Sequence, residues 1–174
     1  MHGAWANGGH GLRTDRTLQK RLRNPGRLVQ SVAMADPSKV LYASEPRLDV
    51  AEFRRVLVES GLGETRPIDD EARLKTMLDH ANLVLTARLD REGKPLVGVA
   101  RGVTDFSWVC YISKLAVSAS AQGLGIGKGL MDEARRQLGP SVAISLISMP
   151  DAVGFYERIG MTRMSDAFWF SRKR

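Results

Sequence analysis

A chain of 174 residues and 19.2 kDa has room for one domain with a substantial core, and 43% apolar residues is the share of an ordinary soluble protein. Its formal charge of +7 raises the question of a polyanionic partner, but no apolar run approaches the roughly 20 residues that a membrane-spanning helix needs. The single cysteine, Cys110, excludes an intrachain disulfide and is consistent with a reducing compartment, so a cytoplasmic location is expected.

The charge is unevenly spread. Residues 1–35 carry Arg13, Arg16, Lys20, Arg21, Arg23 and Arg27 against Asp15, a balance of +5 that leaves +2 for the rest. Gly8-Gly9, Gly11 and Asn24-Pro25-Gly26 interrupt any apolar periodicity there. The stretch reads as a basic, disordered extension of low functional content, as an organellar targeting peptide, or as sequence upstream of a true start at Met34. No aromatic stacking platform or reading helix accompanies it, so nucleic acid is not expected as a partner. Residues 36–174 are expected to form a single domain.

Lys39–Ala43 is a plausible first strand. Val50, Phe53 and Leu57 recur on one helical face closed by Gly61-Leu62-Gly63, and Asp69-Asp70-Glu71 suit the first turn of a second helix striped by Leu74, Met77, Leu78 and Ala81. Asn82–Arg88 and Pro95–Thr104 read as strands of a hairpin about Asp90–Lys94, with Gly98 marking a bulge or close packing. A short turn at Asp105–Ser107 leads into the long β-rich run Trp108–Val117. Cys110 lies mid-strand and reads as a small core residue, and His2, His10 and His80 fall at no metal-ligand spacing, so no metal is expected.

Residues 111–139 carry the strongest local signal. A strand ends at Leu115-Ala116-Val117, the glycine run Gln122-Gly123-Leu124-Gly125-Ile126-Gly127 follows, and Ile126, Leu130, Met131, Ala134 and Leu138 then recur at helical spacing up to Gly139-Pro140. A helix that opens inside a glycine loop offers unpartnered N–H groups, close backbone approach and the positive end of its dipole, which together suit a phosphate. A nucleotide P-loop is excluded because Gln122 stands where its first glycine belongs and Gly129 replaces its hydroxyl residue. A dinucleotide fingerprint is excluded because its third glycine would fall on Lys128 or Leu130. The bland alternative is a glycine turn serving only helix–strand packing. Downstream, Val142–Ser148 reads as a buried parallel strand, Pro150 opens a short helix over Asp151–Arg158, and Ala167–Ser171 reads as the last strand.

The spacing Gln-x-x-Gly-x-Gly at Gln122, Gly125 and Gly127, preceded by Leu115-x-Val117, resembles the GNAT superfamily of acyl-CoA-dependent N-acyltransferases. Ala152 to Met161 resembles the same family's Ala-x-x-Phe-Tyr-x-x-x-Gly-Phe segment at the expected distance, and the element order matches over roughly Val40 to Ser171. The resemblance implies a mixed, mostly antiparallel α/β sheet flanked by helices, with splayed central strands. It implies that acetyl-CoA is bound by Leu115, Ala116, Val117, Gln122, Gly123, Leu124, Gly125, Ile126, Gly127 and Lys128. It also implies that Tyr156 is the general acid protonating the departing thiolate; the bland reading makes Tyr156 a packing aromatic with a wet tip.

The sequence departs from the family at Met149, where an asparagine is frequent, and at Ser113 and Lys114, where an acid is frequent. The general base is therefore unassigned, with Asp105 a weak candidate beside its plainer reading as a turn carboxylate. The expected function is transfer of an acetyl group from acetyl-CoA to a primary amine, on a small molecule or peptide, by direct transfer in a ternary complex. The alternative is a catalytically weak acyl-CoA-binding sensor or regulatory protein. No membrane partner is expected, and either a monomer or a homodimer is compatible with the sequence.

Overall fold

The computed structural model describes residues 39–171 and Lys173, so the expected extension over residues 1–35 lies outside the described residues. Five strands form one sheet in chain order: β1 (Val40–Ser44), β2 (Leu83–Leu89), β3 (Leu96–Thr104), β4 (Val109–Val117) and β5 (Ala143–Ser145). The pairs β1–β2, β2–β3 and β3–β4 are antiparallel, and β4–β5 is parallel. Helices α1 (Val50–Glu59) and α2 (Glu71–Asp79) precede the β2–β3 hairpin, α3 (Ile126–Leu138) crosses from β4 to β5, and α4 (Val153–Arg158) follows β5.

Local chemistry sets the helix starts. The Asp49 carboxylate accepts the Glu52 N–H at the head of α1, and Asp70 accepts the Arg73 N–H at the head of α2, each satisfying one orphan donor. Strand alternation then divides the core between two faces. On one, Leu83, Leu85 and Ala87 of β2 meet Ile126, Leu130, Met131 and Ala134 of α3. On the other, Val84, Leu96, Val99 and Ala116 meet Phe53, Val56, Leu57, Leu74 and Leu78 of α1 and α2. Arg88 ties β2 to α1: Nε and Nη2 reach Glu45 at 2.8 and 2.9 Å, while Nη1 and Nη2 reach Glu52 at 2.9 and 2.7 Å. That fork holds the Glu45 carboxyl below its ordinary range, chiefly through the Arg88 hydrogen bond.

Gly98 fulfils both expectations placed on it. The ladder shifts register beside it, with Ala87 opposite Gly98 but Arg88 opposite Leu96. A Cβ here would meet Ile126 Cγ2 at 3.0 Å, Leu130 Cδ1 at 3.1 Å and Ala87 Cβ at 3.3 Å. Gly98→Val therefore drives a branched side chain into the β3–α3 interface. It is expected to destabilise the fold by about 1–3 kcal/mol through overpacking, read as a lower urea midpoint by far-ultraviolet circular dichroism. An unchanged midpoint would show that α3 does not rest on this strand.

Two expected strands differ from what forms. The run Val142–Ser148 yields a strand only at Ala143–Ser145, because beyond Tyr111–Ser145 the chain diverges from β4 and the ladder stops. Ala167–Ser171 does not form a strand: these residues pair with nothing in the sheet, and Phe168, Trp169 and Phe170 are exposed. Their β-prone side chains satisfy the local preference, but a strand needs a neighbour, and β5 ends before offering a continuing edge.

Candidate active site

The site is built where the sheet splays. β4 and β5 pair through Val109–Ala143, Cys110–Ile144 and Tyr111–Ser145, after which β4 alone runs on to Val117. From Ile112 onward no strand among the described residues lies along the β5-facing edge of β4, so its backbone groups are open to something other than a strand, save the Val117 carbonyl, which accepts from Gln122. A cavity of about 760 Å³ opens at this divergence, with Tyr111 of β4, Ser145 and Ile147 on the β5 side, and Tyr156 and Glu157 of α4 in its wall.

The glycine loop lies at the far end of that edge. Gly123 and Gly125 adopt left-handed backbone, φ 78° and 77°, and a Cβ on either would meet nothing within 4 Å. Backbone conformation, not close packing, therefore demands glycine at these two positions. Gly127 is the packing glycine: a Cβ would lie 3.1 Å from Phe155 Cζ. Gly125 caps α3 without any side-chain hydrogen bond, and the first helical bond is Gly129 N–H to the Gly125 carbonyl. The N–H groups of Ile126, Gly127 and Lys128 are thus left without helical partners at the positive end of the dipole, in a first turn that carries no acid. That is an anion-receiving arrangement.

The remaining predicted residues divide into backbone and side-chain contributors. Gln122 turns its amide inward, Nε2 donating to the Val117 carbonyl at 2.9 Å, so it braces the turn between strand and loop. Ala116 and Ile126 are buried at 2% exposure, Ala116 towards α1 and α2 and Ile126, at the head of α3, towards the sheet, so each has only its backbone to offer a ligand. Leu115, Val117 and Leu124 pack against the α3-side core. The Lys128 ammonium is drawn to Asp132 at 2.5 Å, one turn along α3.

Tyr156 is brought to the cavity by the same contact that seats Gly127. The Phe155 ring packs on the first turn of α3 and meets the Tyr156 ring edge-to-face at 5.0 Å and 73°. Burial pushes the Tyr156 phenol above its ordinary value, so it holds its proton through and beyond neutral pH. Asp105 has a different job. Its Oδ1 accepts the N–H groups of Ser107, Trp108 and Val109, which fold the β3–β4 turn and hold its carboxyl below the usual range. Cys110 is fully buried and burial pushes its thiol up to about 11, which leaves it un-ionised and inert as a nucleophile.

One residue near the site escaped the sequence reading. Arg101 of β3 is 9% exposed and hydrogen-bonded to the Met77 carbonyl and the Ser113 hydroxyl. The signal available was a lone cation inside the apolar run Pro95–Val103.

Comparison with known proteins bears on the same stretch of chain. A family profile described as an acetyltransferase (GNAT) domain matches residues 63–171. The protein of Pyropia yezoensis named N-acetyltransferase ycf52, itself uncharacterized, is 29% identical over 154 residues, covering 77% of this chain and 88% of its own. Serotonin N-acetyltransferase 2, chloroplastic, of Oryza sativa subsp. japonica is 31% identical over 128 residues, 71% of this chain and 62% of its own. The chain likewise spans 62% of the Porphyra purpurea ycf52 protein. Among solved structures, a Deinococcus radiodurans R1 chain whose acetyltransferase assignment is itself provisional superposes with a TM-score of 0.63 at 25% identity, over 78% of this chain and 90% of its own.

Proposed function

The chain belongs to the GNAT acetyltransferase family, and from that membership we propose that it moves an acetyl group from acetyl-CoA to a primary amine by direct transfer in a ternary complex. The observation that carries this reading is the left-handed glycine loop opening α3 beside the unpartnered edge of β4. On this reading the N–H groups of Ile126, Gly127 and Lys128 hold the pyrophosphate, with Gly123, Leu124 and Gly125 shaping the approach and Gln122 bracing it. The edge at Leu115, Ala116 and Val117, where no described strand follows and Gln122 holds the Val117 carbonyl, takes the amides of the pantetheine arm.

Acetyl-CoA supplies an activated acyl group as a thioester. The chain's own residues do the rest. A β4 N–H near the splay polarises the thioester carbonyl, where negative charge builds as the amine attacks. Tyr156, neutral because it is buried, stands in the cavity wall and donates its proton to the departing thiolate. The incoming ammonium loses its proton to cavity water, since Asp105 is committed to its turn. That the rice relative is named for the amine serotonin supports an amine acceptor. A cytoplasmic location belongs to this reading, although the rice relative is named chloroplastic. No helix among the described residues is long and apolar enough to cross a membrane.

The test is calorimetric titration of acetyl-CoA into the full chain, followed by thiol-release assays on a panel of primary amines. Saturable binding and amine-dependent thiol release are expected. Absence of binding removes the reading altogether. Binding without release on any amine favours the acyl-CoA sensor, a reading supported by Ser113 and Lys114 standing where the family often has an acid.

A further inference from the structure

An alkylammonium holds its proton at neutral pH and cannot attack a carbonyl until that proton is gone. Cavity water can take it, but water must then pass it on, and Ile144, Leu146, Ile147, Val153 and Met161 of the cavity wall cannot receive it. Among the described residues lining the cavity, Glu157 is the single carboxylate and Arg163 the only other charged side chain. No hydrogen bond or ion pair among the described residues engages the Glu157 carboxylate, and Arg163 does not pair with it. Other acids are committed: Glu45 and Glu52 to Arg88, Glu133 to Arg136, and Asp105 to the N–H groups of its own turn.

Helical spacing explains why Glu157 stands there. Tyr156 and Glu157 follow Val153 by three and four residues, so all three share the face of α4 that lines the cavity. The two polar members differ in depth. Tyr156 is partly buried and keeps its proton, whereas Glu157 is exposed while still lining the cavity. Glu157 therefore touches both the interior and bulk water, the position from which a proton taken inside can be released outside. The Ser148 and Thr162 hydroxyls line the same cavity and can hold water on the way.

Resting on the transferase reading above, we propose that Glu157 is the general base that receives the acceptor's proton through cavity water. One N–H bond of the ammonium breaks, and its proton passes to a Glu157 carboxylate oxygen, which sheds it to bulk solvent. The freed lone pair forms the C–N bond at the thioester carbonyl. As the C–S bond breaks, sulfur takes the Tyr156 proton, and the second proton to leave nitrogen restores the phenol. Ammonium and thioester thereby become amide, thiol and one released proton.

The experiment compares two acceptors of the same skeleton: the best alkylamine of the panel above, protonated at neutral pH, and its alkoxyamine analogue, already neutral there. Both are assayed at saturating acetyl-CoA with the full wild-type chain, Glu157→Gln and Glu157→Asp, beside a thermal melt and calorimetric titration of acetyl-CoA into each. Glu157→Gln keeps the size of an exposed side chain and removes its basicity, so fold and acetyl-CoA affinity are expected to be unchanged. It is expected to lower kcat/KM for the alkylamine by about 100-fold but for the alkoxyamine by less than about threefold, because only the alkylamine needs a base before attack. Glu157→Asp, which keeps a carboxylate, is expected to recover part of the alkylamine rate. Equal loss with both acceptors, or lost acetyl-CoA affinity, makes Glu157 a structural residue of α4, and no loss with either leaves the proton to water alone. Each of these results overturns the inference and leaves the transferase reading intact. A wild-type chain that releases no thiol with any alkylamine or alkoxyamine removes the transferase reading, and the base with it.

Discussion

Gly125→Glu is expected to abolish acetyl-CoA binding, weakening the dissociation constant by at least about 100-fold. Two effects combine. Left-handed backbone at φ 77° disfavours any residue with a Cβ, at a cost of about 1–2 kcal/mol. The new carboxylate would also sit at the head of α3, where it competes for the N–H groups of Ile126, Gly127 and Lys128 and repels a second anion. Gly125→Ala isolates the first effect and is expected to weaken binding by roughly tenfold, the size of that backbone cost. Because a Cβ at Gly125 meets nothing within 4 Å, both variants are expected to fold. Calorimetric titration beside a thermal melt reads the outcome, and undiminished affinity in Gly125→Glu would place the cofactor elsewhere.

Tyr156→Phe is expected to lower kcat by about 100-fold, the lower end of what a positioned general acid contributes, while the affinity for acetyl-CoA is unchanged. The substitution keeps the ring, its edge-to-face contact with Phe155 and hence the seat against Gly127; only the hydroxyl is removed. The pH profile supplies a second readout. Burial raises the phenol above 10, so wild-type kcat is expected to hold through neutral pH and fall only as pH rises through that raised value. In Tyr156→Phe the alkaline limb from this group disappears. Equal turnover by the two proteins at every pH would make Tyr156 a packing residue.

What could be read from the sequence was whatever local signals determine. The β2–β3 hairpin was legible from its turn residues, α3 from the periodicity of Ile126, Leu130, Met131, Ala134 and Leu138, and the glycine loop from its spacing. Asp70 was legible as an acid at the start of α2, where it proves to be the cap, while the equivalent cap of α1, Asp49, was passed over. Features that depend on distant partners were not legible. Ala167–Ser171 has every local preference for a strand, but pairing is decided by where β5 stops. The same separation shortens β5 and opens the cavity, since the divergence of two strands after Tyr111 and Ser145 leaves no mark on either strand alone. Arg101 drew no reading, because its place under α2 and opposite Lys114 is decided by the fold. Asp105 was legible in kind, a turn carboxylate, because its three backbone partners follow it directly in sequence.

Trp108 and Trp169 stand 77% and 60% exposed, outside both hydrophobic clusters. An indole already surrounded by water emits at nearly the same wavelength in the folded and unfolded chain, and is open to collisional quenchers in both. Their intrinsic fluorescence is therefore a poor witness to the loss of the core. It is instead a sensitive reporter of anything that settles on the β3–β4 turn or on the aromatic segment ending at Phe170.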